Sequence, residues 1–474
     1  MNAPAKFTAP SAGALDAIAD IVGPKGVFHG DEAAPFLSEW RDRWPGKAAL
    51  IVAPTSTQEV AAVVKLCAQE KIAITPQGGN TGLVGGQIPF GPEILLSLKR
   101  MRTIRDISAL DNTMTVDAGV TLHDAQEEAR AVNRLFPLSI GSEGSCQIGG
   151  VISTNAGGVN VLRYGNMREL VLGLEVVTPR GEIWSSLKRL RKDNTGYDLK
   201  QLFIGGEGTL GVVTGAVLKL FPRPTERVTA FVGAPSPDAA VALLAHAQEA
   251  TGGLASSFEL LSRQCMALLV KNIDGARDPL AAPHPWYVLM EFSSAGIGDL
   301  RTTVEALLES ALEQNIISDG TIAENETQAA ALWRMRHAMS EAINHEGLGA
   351  RHDVSVPTAD IPAFLNKADA AVARATPGAR VVAFGHIGDG NIHYDVVPAE
   401  GADKNALDNL RPDIEAGVYD VIGAFNGSIS AEHGVGRHKR DQIAKTKSDV
   451  ELSMMRAVKH ALDPDGIMNP GKML

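Results

Sequence analysis

Cysteine is scarce in this chain of 474 residues. The three cysteines, Cys67, Cys146 and Cys265, are widely separated, and no CxxC pair occurs. A disulfide scaffold needs several paired cysteines, and a thiolate zinc site usually contains CxxC pairs. The sequence therefore supports neither a disulfide-stabilised protein nor a thiolate zinc protein.

Long apolar runs and an excess of positive charge are also missing. No stretch of about 18 apolar residues occurs, so we expect no transmembrane helix. The first residues lack the basic segment and the apolar run of a secretory signal. The net charge of −11 disfavours nucleic acid or an anionic membrane as a main partner. We therefore expect a cytoplasmic protein without a nucleic-acid partner.

The chain is too long for one hydrophobic core, so we expect two or three domains. Ser56 and Glu59 fit a capping box before a helix that precedes a short strand at 72–75. Short strands and glycine-rich turns then dominate up to the prolines near residue 224, which is typical of an α+β domain. The following segment, 228–320, has the strand and helix order βαββαβ of a ferredoxin-like fold.

Three segments of the first part combine glycine with polar residues. They are PQGGNTGLVGG (76–86), a stretch at 140–183 and a stretch at 198–220. Glycine allows positive φ, and successive backbone N–H groups form a concave anion site. A β-like run rather than a helix follows the first segment, which excludes a Rossmann fingerprint. A tight hairpin-rich loop explains the first segment alone equally well, but three such segments suit a long polar ligand such as a dinucleotide.

Histidines mark a second kind of segment. In FGHIGDGNIHYD, at 384–395, His386 and His393 bracket a glycine-rich bend, and SISAEHGVG at 428–436 adds Glu432 beside His433. Imidazole is the commonest metal ligand, and a catalytic metal usually has three protein ligands. A histidine pair in a loop is more often structural or solvated, so the spacing alone leaves a metal site undecided.

Together, and in this order, these segments resemble the FAD-binding domain of the vanillyl-alcohol oxidase and p-cresol methylhydroxylase superfamily. From about Pro54 to Leu474 the chain is similar to the FAD-dependent D-2-hydroxy-acid dehydrogenases, which include D-2-hydroxyglutarate and D-lactate dehydrogenases and glycolate oxidase subunits. The resemblance implies an α+β fold with a two-subdomain FAD-binding domain, a ferredoxin-like substrate (cap) domain and a C-terminal helical segment. The expected boundaries are 1–45 for an N-terminal helical lead-in, 46–226 for the FAD-binding domain, 227–425 for the cap domain with the metal-binding histidines, and 426–474 for the C-terminal helical segment that returns to the flavin.

The resemblance also implies the residues that bind FAD. The first segment would wrap the pyrophosphate, the second would line the flavin and its ribityl chain, and the third would lie near the other end of the cofactor. The implied positions are Pro76, Gly78, Gly79, Asn80, Thr81, Gly82, Leu83, Gly85, Gly86, Gly141, Ser142, Gly149, Gly150, Ser153, Thr154, Asn155, Gly158, Glu207, Gly211, Val212 and Asn469.

Three further positions bear on the flavin domain. Some relatives attach FAD covalently through a histidine after the double glycine, but this chain has Asn80 there, so we expect non-covalent FAD. Cys146 lies in the second segment, and we expect it to pack as a small hydrophobe rather than to anchor the flavin. Lys472 is implied to return toward the flavin domain, although a capping turn explains it equally well.

The same resemblance assigns the remaining site. It implies His386, His393 and Glu432 as ligands of a divalent metal, zinc or manganese, and His433 as the catalytic base. The implied substrate-binding positions are Arg336, Ser340, Arg351 and Asp395. The last three stand where D-2-hydroxyglutarate dehydrogenases carry Thr, Lys and Asn, and Arg and Lys are not interchangeable. Without the resemblance, the arginines would be interpreted as a solvated helix face.

The predicted function is oxidation of a D-2-hydroxy acid, D-2-hydroxyglutarate or similar, to the 2-oxo acid, with hydride transfer to flavin N5. A D-lactate dehydrogenase or glycolate oxidase subunit is the first alternative, and a non-catalytic FAD-binding subunit of an oxidase complex is the second. Electrons would pass to an electron-transferring flavoprotein, a quinone, a cytochrome or oxygen, and the sequence does not choose among them. A homodimer, and a peripheral membrane location through the electron acceptor, are expectations from the family.

Overall fold

The helix that follows Ser56 begins where its sequence predicts. In the computed structural model, which describes residues 7, 9–39, 43–296, 298–347 and 349–474, the Ser56 side chain accepts the N–H of Glu59. The helix runs from Thr57 to Glu70 and ends at Lys71, which is left-handed. Four of its buried side chains follow the predicted helical spacing. They are Val60, Val63, Val64 and Cys67.

Seventeen α-helices are assigned among the described residues. In chain order they are α1 (Ala12–Val22), α2 (Ala34–Leu37), α3 (Thr57–Glu70), α4 (Leu122–Ala131), α5 (Ile148–Ser153), α6 (Val161–Tyr164), α7 (Met167–Leu170), α8 (Lys200–Phe203), α9 (Pro237–Thr251), α10 (Arg263–Asn272), α11 (Leu300–Glu313), α12 (Glu326–His337), α13 (Met339–Asn344), α14 (Ile361–Ala375), α15 (Arg411–Ala424), α16 (Arg440–Thr446) and α17 (Asp449–Leu462). None of these described helices combines the length and the apolarity needed to cross a bilayer.

Eighteen strands are assigned in the same part of the chain. They are β1 (Val27–Phe28), β2 (Leu50–Val52), β3 (Ile74–Gln77), β4 (Ile94–Ser97), β5 (Ile104–Ser108), β6 (Thr113–Asp117), β7 (Arg134–Leu135), β8 (Val171–Val177), β9 (Ile183–Ser186), β10 (Val212–Lys219), β11 (Phe221–Pro222), β12 (Glu226–Ala234), β13 (Ala255–Ser262), β14 (Trp286–Ser294), β15 (Asp319–Ile322), β16 (Ala350–Ser355), β17 (Arg380–His386) and β18 (Asn391–Val397). The short strand predicted at 72–75 is β3, which starts two residues later.

The chain divides into two units, and the first contains Met1–Gly157, Gly165–Arg223 and Glu432–Leu474. A four-stranded sheet in the order β1-β2-β4-β3 has β2, β4 and β3 parallel, and helices α1 and α3 share its apolar core. A five-stranded antiparallel sheet has the order β5-β6-β10-β8-β9. The two sheets give this unit the two-subdomain form predicted from the sequence.

The second unit contains Gly158–Tyr164 and Pro224–Ala431 and is built on one seven-stranded antiparallel sheet. The strand order is β15-β12-β14-β13-β17-β18-β16. At one end of the sheet the order is β15-β12-β14-β13. Counted along the chain, these are the fourth, first, third and second strands, which is the order of a ferredoxin-like sheet. The predicted ferredoxin-like fold is therefore confirmed. Strands β17, β18 and β16 then extend the sheet, because β17 pairs with β13.

Two details of the second unit differ from the sequence prediction. Helix α10 follows β13, where the strand pattern predicted no helix. The last predicted strand at 316–320 begins instead at Asp319, because the N–H groups of Ile316 and Ile317 bond to Ala311 at the end of α11. Both isoleucines also pack with the apolar core, so they belong to the helix terminus rather than to the strand.

The two faces of the seven-stranded sheet carry different helices. One face shares an apolar core with α9, α11, α14 and α15, and the other packs against α10, α12 and α13. Alternate residues of a strand point to opposite faces. Leu261 and Phe384 point to the face of α10, α12 and α13. Polar residues that lie opposite them or two positions away therefore point to the same face.

Candidate active site

Strand register brings six polar residues to this second face. Phe384 is the cross-strand partner of both Leu261 and His393, and residues two positions away point the same way. Three cross-strand pairs result, and α12 adds an arginine. The pairs are Glu259–His386, His393–Asp353 and Asp395–Arg351. We call the set the polar patch: Glu259, Arg336, Arg351, Asp353, His386, His393 and Asp395.

Glu259 is completely buried and joins Arg336 to His386. Its Oε2 accepts the Arg336 Nε–H at 2.6 Å, and its Oε1 lies 2.5 Å from His386 Nδ1. Burial alone would raise the pKa of this carboxyl, but the charges of Arg336 and His386 and their hydrogen bonds lower the pKa to about 2. The carboxylate is therefore held ionised in the interior by its two partners.

Arg336 is only 8% exposed, and its guanidinium lies over the Phe384 ring at 4.9 Å. The Nε–H is used by Glu259. Among the described residues, no side chain or carbonyl accepts a hydrogen bond from the two Nη groups. A buried guanidinium with one edge anchored and two nitrogens left for an acceptor is suited to a carboxylate ligand.

The other implied substrate residues are placed differently. Arg351 donates from Nη2 to Asn344 at 2.6 Å, and its Nε lies 4.0 Å from Asp395. Asp395 is buried, and Arg351 on the neighbouring strand offsets part of its charge. Ser340 lies on α13 with its side chain exposed. The structure thus brings Arg336, Arg351 and Asp395 into the polar patch, while Ser340 is not among the patch residues.

The histidine segment forms the hairpin between β17 and β18. His386 ends β17 and His393 lies in β18, with ring centroids 5.8 Å apart and planes at 76°. Gly390 has φ of 83°, and a Cβ placed on it would lie 2.1 Å from the Val356 carbonyl oxygen. Asp353 faces His393 from β16. Two imidazoles and a carboxylate are a donor set that zinc and manganese accept.

The remaining motif, AEHGVG, belongs partly to each unit. Ala431 ends the second unit, and Glu432 and His433 open the last segment of the first. Both side chains are half-buried, and His433 Nε2 lies 3.9 Å from Glu432 Oε1. Positive φ angles at Gly434 (81°) and Gly436 (50°) bend the chain directly after them.

Glu207 holds that bend from inside the first unit. Its two carboxylate oxygens accept the N–H groups of Val435 and Gly436, each at 2.7 Å. Burial raises the pKa of the Glu207 carboxyl, while the two backbone N–H groups oppose that rise. Asn469 donates from Nδ2 to the carbonyls of Gly86 and Glu207. Both residues were predicted to bind FAD; the contacts seen here connect the glycine-rich segments to the C-terminal part of the chain.

The three glycine-rich segments meet in the first unit. A Cβ placed on Gly79 would lie 1.9 Å from the carbonyl oxygen of Ser145, so the first and second segments approach backbone to backbone. The N–H of Glu207 donates to the carbonyl of Ser153 at 2.8 Å, which ties the third segment to the second. Side chains larger than glycine would prevent the first approach.

The assembled segments fit an extended polar cofactor. Asn80 and Asn155 adopt positive φ, and no atom lies within 4 Å of a Cβ placed on Gly141 or Gly150. Asn80 Oδ1 and Gln147 Oε1 are buried and have no hydrogen-bond partner among the described residues. Buried acceptors of this kind usually meet a donor from a ligand or water. The hydroxyl and ring N–H groups of FAD provide such donors.

Some predicted cofactor residues bond within the chain. The hydroxyls of Ser153 and Thr154 donate to the carbonyls of Gly149 and Gly150, one turn back. Gly158 has φ of 92° and belongs to the second unit. Cys146 is buried, and burial raises the pKa of its thiol to about 11, which fits a packing role.

Two residues of the polar patch escaped the sequence analysis. Glu259 is the only acidic residue of the buried strand β13, and Asp353 is the only acidic residue of β16. A charged side chain inside a buried strand needs a partner, because an uncompensated buried charge is very costly. A lone carboxylate in each strand was therefore a usable signal in both segments.

Two family models match this chain. Residues 48–186 match the family model described as FAD binding domain. Residues 223–473 match the model described as FAD linked oxidases, C-terminal domain. The glycine-rich segments 76–86 and 140–183 fall in the first match, and the polar patch falls in the second.

Curated relatives match over nearly the whole chain. A D-2-hydroxyglutarate–pyruvate transhydrogenase of Saccharomyces cerevisiae is 38% identical, covering 94% of this chain and 90% of its own. A D-2-hydroxyglutarate dehydrogenase of Xanthomonas citri is 39% identical, covering 92% and 91%. A putative mitochondrial D-lactate dehydrogenase of Schizosaccharomyces pombe is 38% identical, covering 92% and 84%.

Solved structures with low sequence identity share the fold. p-Cresol methylhydroxylase with bound substrate has a TM-score of 0.75 at 17% identity, covering 97% of this chain and 96% of its own. 4-Ethylphenol oxidase from Gulosibacter chungangensis has a TM-score of 0.73 at 19% identity, covering 99% and 98%. The predicted vanillyl-alcohol oxidase type of fold is thereby confirmed. The chain belongs to the family of FAD-linked oxidases and is an FAD-dependent oxidoreductase.

Proposed function

We propose that the protein oxidises a D-2-hydroxy acid, D-2-hydroxyglutarate or a close analogue, to the 2-oxo acid. The names of the relatives in Saccharomyces and Xanthomonas support this substrate class. The observation that carries the proposal is the buried Arg336, anchored by Glu259 on the face that also bears His386 and His393. A guanidinium with two available nitrogens suits the distal carboxylate of a dicarboxylic acid.

The reaction removes a hydride from C2 of the substrate and a proton from its hydroxyl. FAD supplies the two-electron acceptor. His433 is the proposed base for the hydroxyl proton. The backbone beyond His433 is held by Glu207, which supports a defined position for the imidazole. Arg336 binds and orients the substrate through its distal carboxylate, with Ser340, Arg351 and Asp395 as further proposed contacts.

We also propose a divalent metal, zinc or manganese, held by His386, His393 and Glu432. The two histidines share one hairpin, and Asp353 opposite His393 is an additional oxygen donor. A metal bound there would lower the pKa of the substrate hydroxyl and fix its orientation. Imidazole and carboxylate ligands suit both metals, so the residue types support the pair rather than one of them.

The role proposed for each segment follows the segment boundaries that the sequence predicted. Residues 46–226 bind FAD without a covalent bond, because Asn80 replaces the histidine that anchors FAD in some relatives. Residues 227–425 bind substrate, residues 426–474 return to the flavin, and residues 1–45 form the lead-in. The orphaned Asn80 and Gln147 oxygens support cofactor contacts in the first of these segments.

D-Lactate is the second candidate substrate, and one observation favours it. Asp395 places a buried carboxylate 4.0 Å from Arg351, which lowers the positive charge available to a second substrate carboxylate. A monocarboxylic acid does not need that charge. The Schizosaccharomyces relative carries the name of a D-lactate dehydrogenase.

Anaerobic flavin reduction tests the proposal. We expect D-2-hydroxyglutarate to bleach the visible flavin absorbance of the metal-replete protein, and its L-enantiomer to leave it unchanged. Faster bleaching by D-lactate would favour the second candidate. A protein that holds FAD and is reduced by neither acid would contradict both, and would favour a non-catalytic subunit.

The role of His433 can be tested in the same assay. We expect His433→Ala to keep FAD and to lose reduction by substrate by a factor of about 100 or more, which is typical for loss of a general base. His438→Ala is a matched control, because His438 lies on the same segment with its ring near Trp44. Normal reduction of the His433 variant would remove it as the base.

The electron acceptor and the oligomeric state remain proposals from the family resemblance. An electron-transferring flavoprotein, a quinone or a cytochrome is proposed as acceptor, and a homodimer as the assembly. Reoxidation of the substrate-reduced protein by each acceptor would identify the physiological class. Pyruvate belongs in that series, because the name of the Saccharomyces relative describes transfer to pyruvate.

A further inference from the structure

Glu259 touches both a proposed metal ligand and the proposed substrate-binding arginine. It lies 2.5 Å from His386 Nδ1 and 2.6 Å from Arg336 Nε, and its side chain has no exposure. Both oxygens of the carboxylate have a short partner. The cross-strand register of β13 and β17 sets Glu259 directly opposite His386, so the contact depends on the sheet and not on a flexible loop.

The contact with His386 fixes which ring nitrogen carries the proton. An ionised carboxylate only accepts hydrogen bonds, so the nitrogen that faces it must be Nδ1–H. In the neutral ring this puts the lone pair on Nε2, which is then the nitrogen that can bind a metal. Carboxylates that bind the second nitrogen of a metal-binding histidine typically orient the ring and raise its basicity.

The contact with Arg336 fixes the guanidinium plane. Arginine carries its five N–H groups in a rigid fork, so holding Nε at Glu259 also sets the direction of both Nη groups. The Phe384 ring packs against the other side of the guanidinium, 4.9 Å away. Glu259 therefore occupies one edge of the guanidinium and Phe384 one face. The direction of the two Nη groups follows from the position of Glu259.

We propose that Glu259 is a positioning residue that sets His386 for metal binding and Arg336 for substrate binding at the same time. One buried carboxylate thereby couples the metal site to the selection of dicarboxylic substrates. This inference rests on the proposed function and names a residue that acts through two others. Loss of Glu259 should weaken both interactions together.

Glu259→Gln tests the coupling, because glutamine keeps the shape but not the hydrogen-bonding pattern. Its amide has one accepting oxygen and one donating nitrogen, whereas Arg336 Nε–H and His386 Nδ1–H both need an acceptor. If the amide oxygen stays with Arg336, the amide nitrogen forces His386 to place its proton on Nε2. We expect Zn²⁺ affinity to fall about 10- to 100-fold, measured by competition with a chromophoric chelator on FAD-loaded protein.

A second readout separates positioning from a general structural role. The KM for D-2-hydroxyglutarate should rise more in Glu259→Gln than the KM for D-lactate, because only the dicarboxylate uses Arg336. Glu291→Gln is the matched control. Glu291 lies on the adjacent strand β14 and accepts a hydrogen bond from Trp333 of α12 at 3.0 Å, so it resembles Glu259 in its location but is not bonded to His386 or Arg336.

The outcomes distinguish the inference from the proposed function. Wild-type protein that binds Zn²⁺ and is reduced by substrate, together with an unchanged Glu259→Gln variant, would overturn only the inference. Wild-type protein without saturable Zn²⁺ binding would overturn the metal part of the proposed function and the inference with it. If Glu259→Gln does not fold, Glu259→Asp keeps the charge but is one methylene shorter. Its Zn²⁺ affinity should fall relative to Glu291→Asp, and equal affinities would overturn the inference.

Discussion

At the scale of single residues, the fate of a buried charge depends on the nearest opposite charge. Glu259 is fully buried and stays ionised because Arg336 and His386 lie within hydrogen-bonding distance. Lys472 is 3% exposed, and its Nζ lies 3.4 Å from the Thr75 hydroxyl. Burial lowers the pKa of Lys472 to about 8, although Glu93 acts in the opposite direction. Two close partners keep Glu259 ionised, whereas burial favours the neutral form of Lys472.

The Lys472 shift predicts a pH-dependent stability. Between about pH 8 and the ordinary lysine pKa near 10.4, the unfolded chain binds more protons than the folded one, so stability rises with pH. We expect Lys472→Met to raise the free energy of unfolding of the FAD-free protein at pH 7, by up to about 3 kcal/mol. The variant should also lose the rise above pH 8.

Denaturant unfolding at a series of pH values from 7 to 10 measures both effects. Lys445→Met is the control, because Lys445 is exposed on α16 and its substitution should leave the pH dependence unchanged. Parallel curves for wild type and Lys472→Met would show that burial of this ammonium does not cost the folded state the expected free energy.

At the scale of elements, the hairpin between β17 and β18 sets the spacing of the two histidines. Its turn is closed by Gly390, whose positive φ and contact with the Val356 carbonyl leave no room for a side chain. Asn391 follows and donates from Nδ2 to Asp353 at 3.0 Å. The turn and the neighbouring strand therefore determine jointly where His393 lies.

Gly390→Ala should disrupt this hairpin more than backbone strain alone explains. Gly378 also has positive φ, 89°, but the nearest atom to a Cβ placed there is 4.0 Å away. We expect Gly378→Ala to cost about 1–2 kcal/mol of stability, the strain of a left-handed residue. Gly390→Ala adds a collision with backbone, so we expect roughly 3 kcal/mol or more and weaker Zn²⁺ binding.

Thermal unfolding and chelator competition on the two purified variants provide the measurement. Similar losses in both variants would mean that the hairpin adjusts to the added methyl group. In that case the close approach to Val356 would not be what fixes the position of His393.

At the scale of the whole molecule, the two proposed tasks are assigned to different units. The glycine-rich segments that fit FAD lie in the first unit except for Gly158–Tyr164, and the polar patch belongs to the second unit. The proposed ligand Glu432 and the proposed base His433 follow directly on the last residue of the second unit. Because different residues are proposed to hold the metal and FAD, each should be removable without loss of the other.

Chelation tests that independence. We expect treatment with a strong chelator to abolish flavin reduction by D-2-hydroxyglutarate and to leave FAD bound. Added Zn²⁺ or Mn²⁺ should restore reduction by substrate. Dithionite should reduce the flavin of the chelated protein normally, which controls for damage to the FAD site. Substrate reduction at the original rate after complete metal removal would contradict the proposed role of His386 and His393.

Much of this protein could be predicted from sequence because the decisive features are local. Glycine clusters, the helix cap at Ser56 and the two histidines that bracket a tight bend depend on residues a few positions apart. The βαββαβ order of the second unit is likewise a sequence of local elements, and its sheet has the predicted strand order. Register and rotamers do not have to be known for any of these.

Only the tertiary structure revealed Glu259 and Asp353 as neighbours of the histidines. Glu259 and His386 are 127 positions apart in the sequence and become partners because β17 pairs with β13. Asp353 meets His393 because β18 pairs with β16. Strand order and register are set by packing of the whole sheet against its helices, and a shift of one residue would turn each side chain to the opposite face. Local sequence therefore determines which chemical groups this protein possesses, whereas the sheet determines which of them meet.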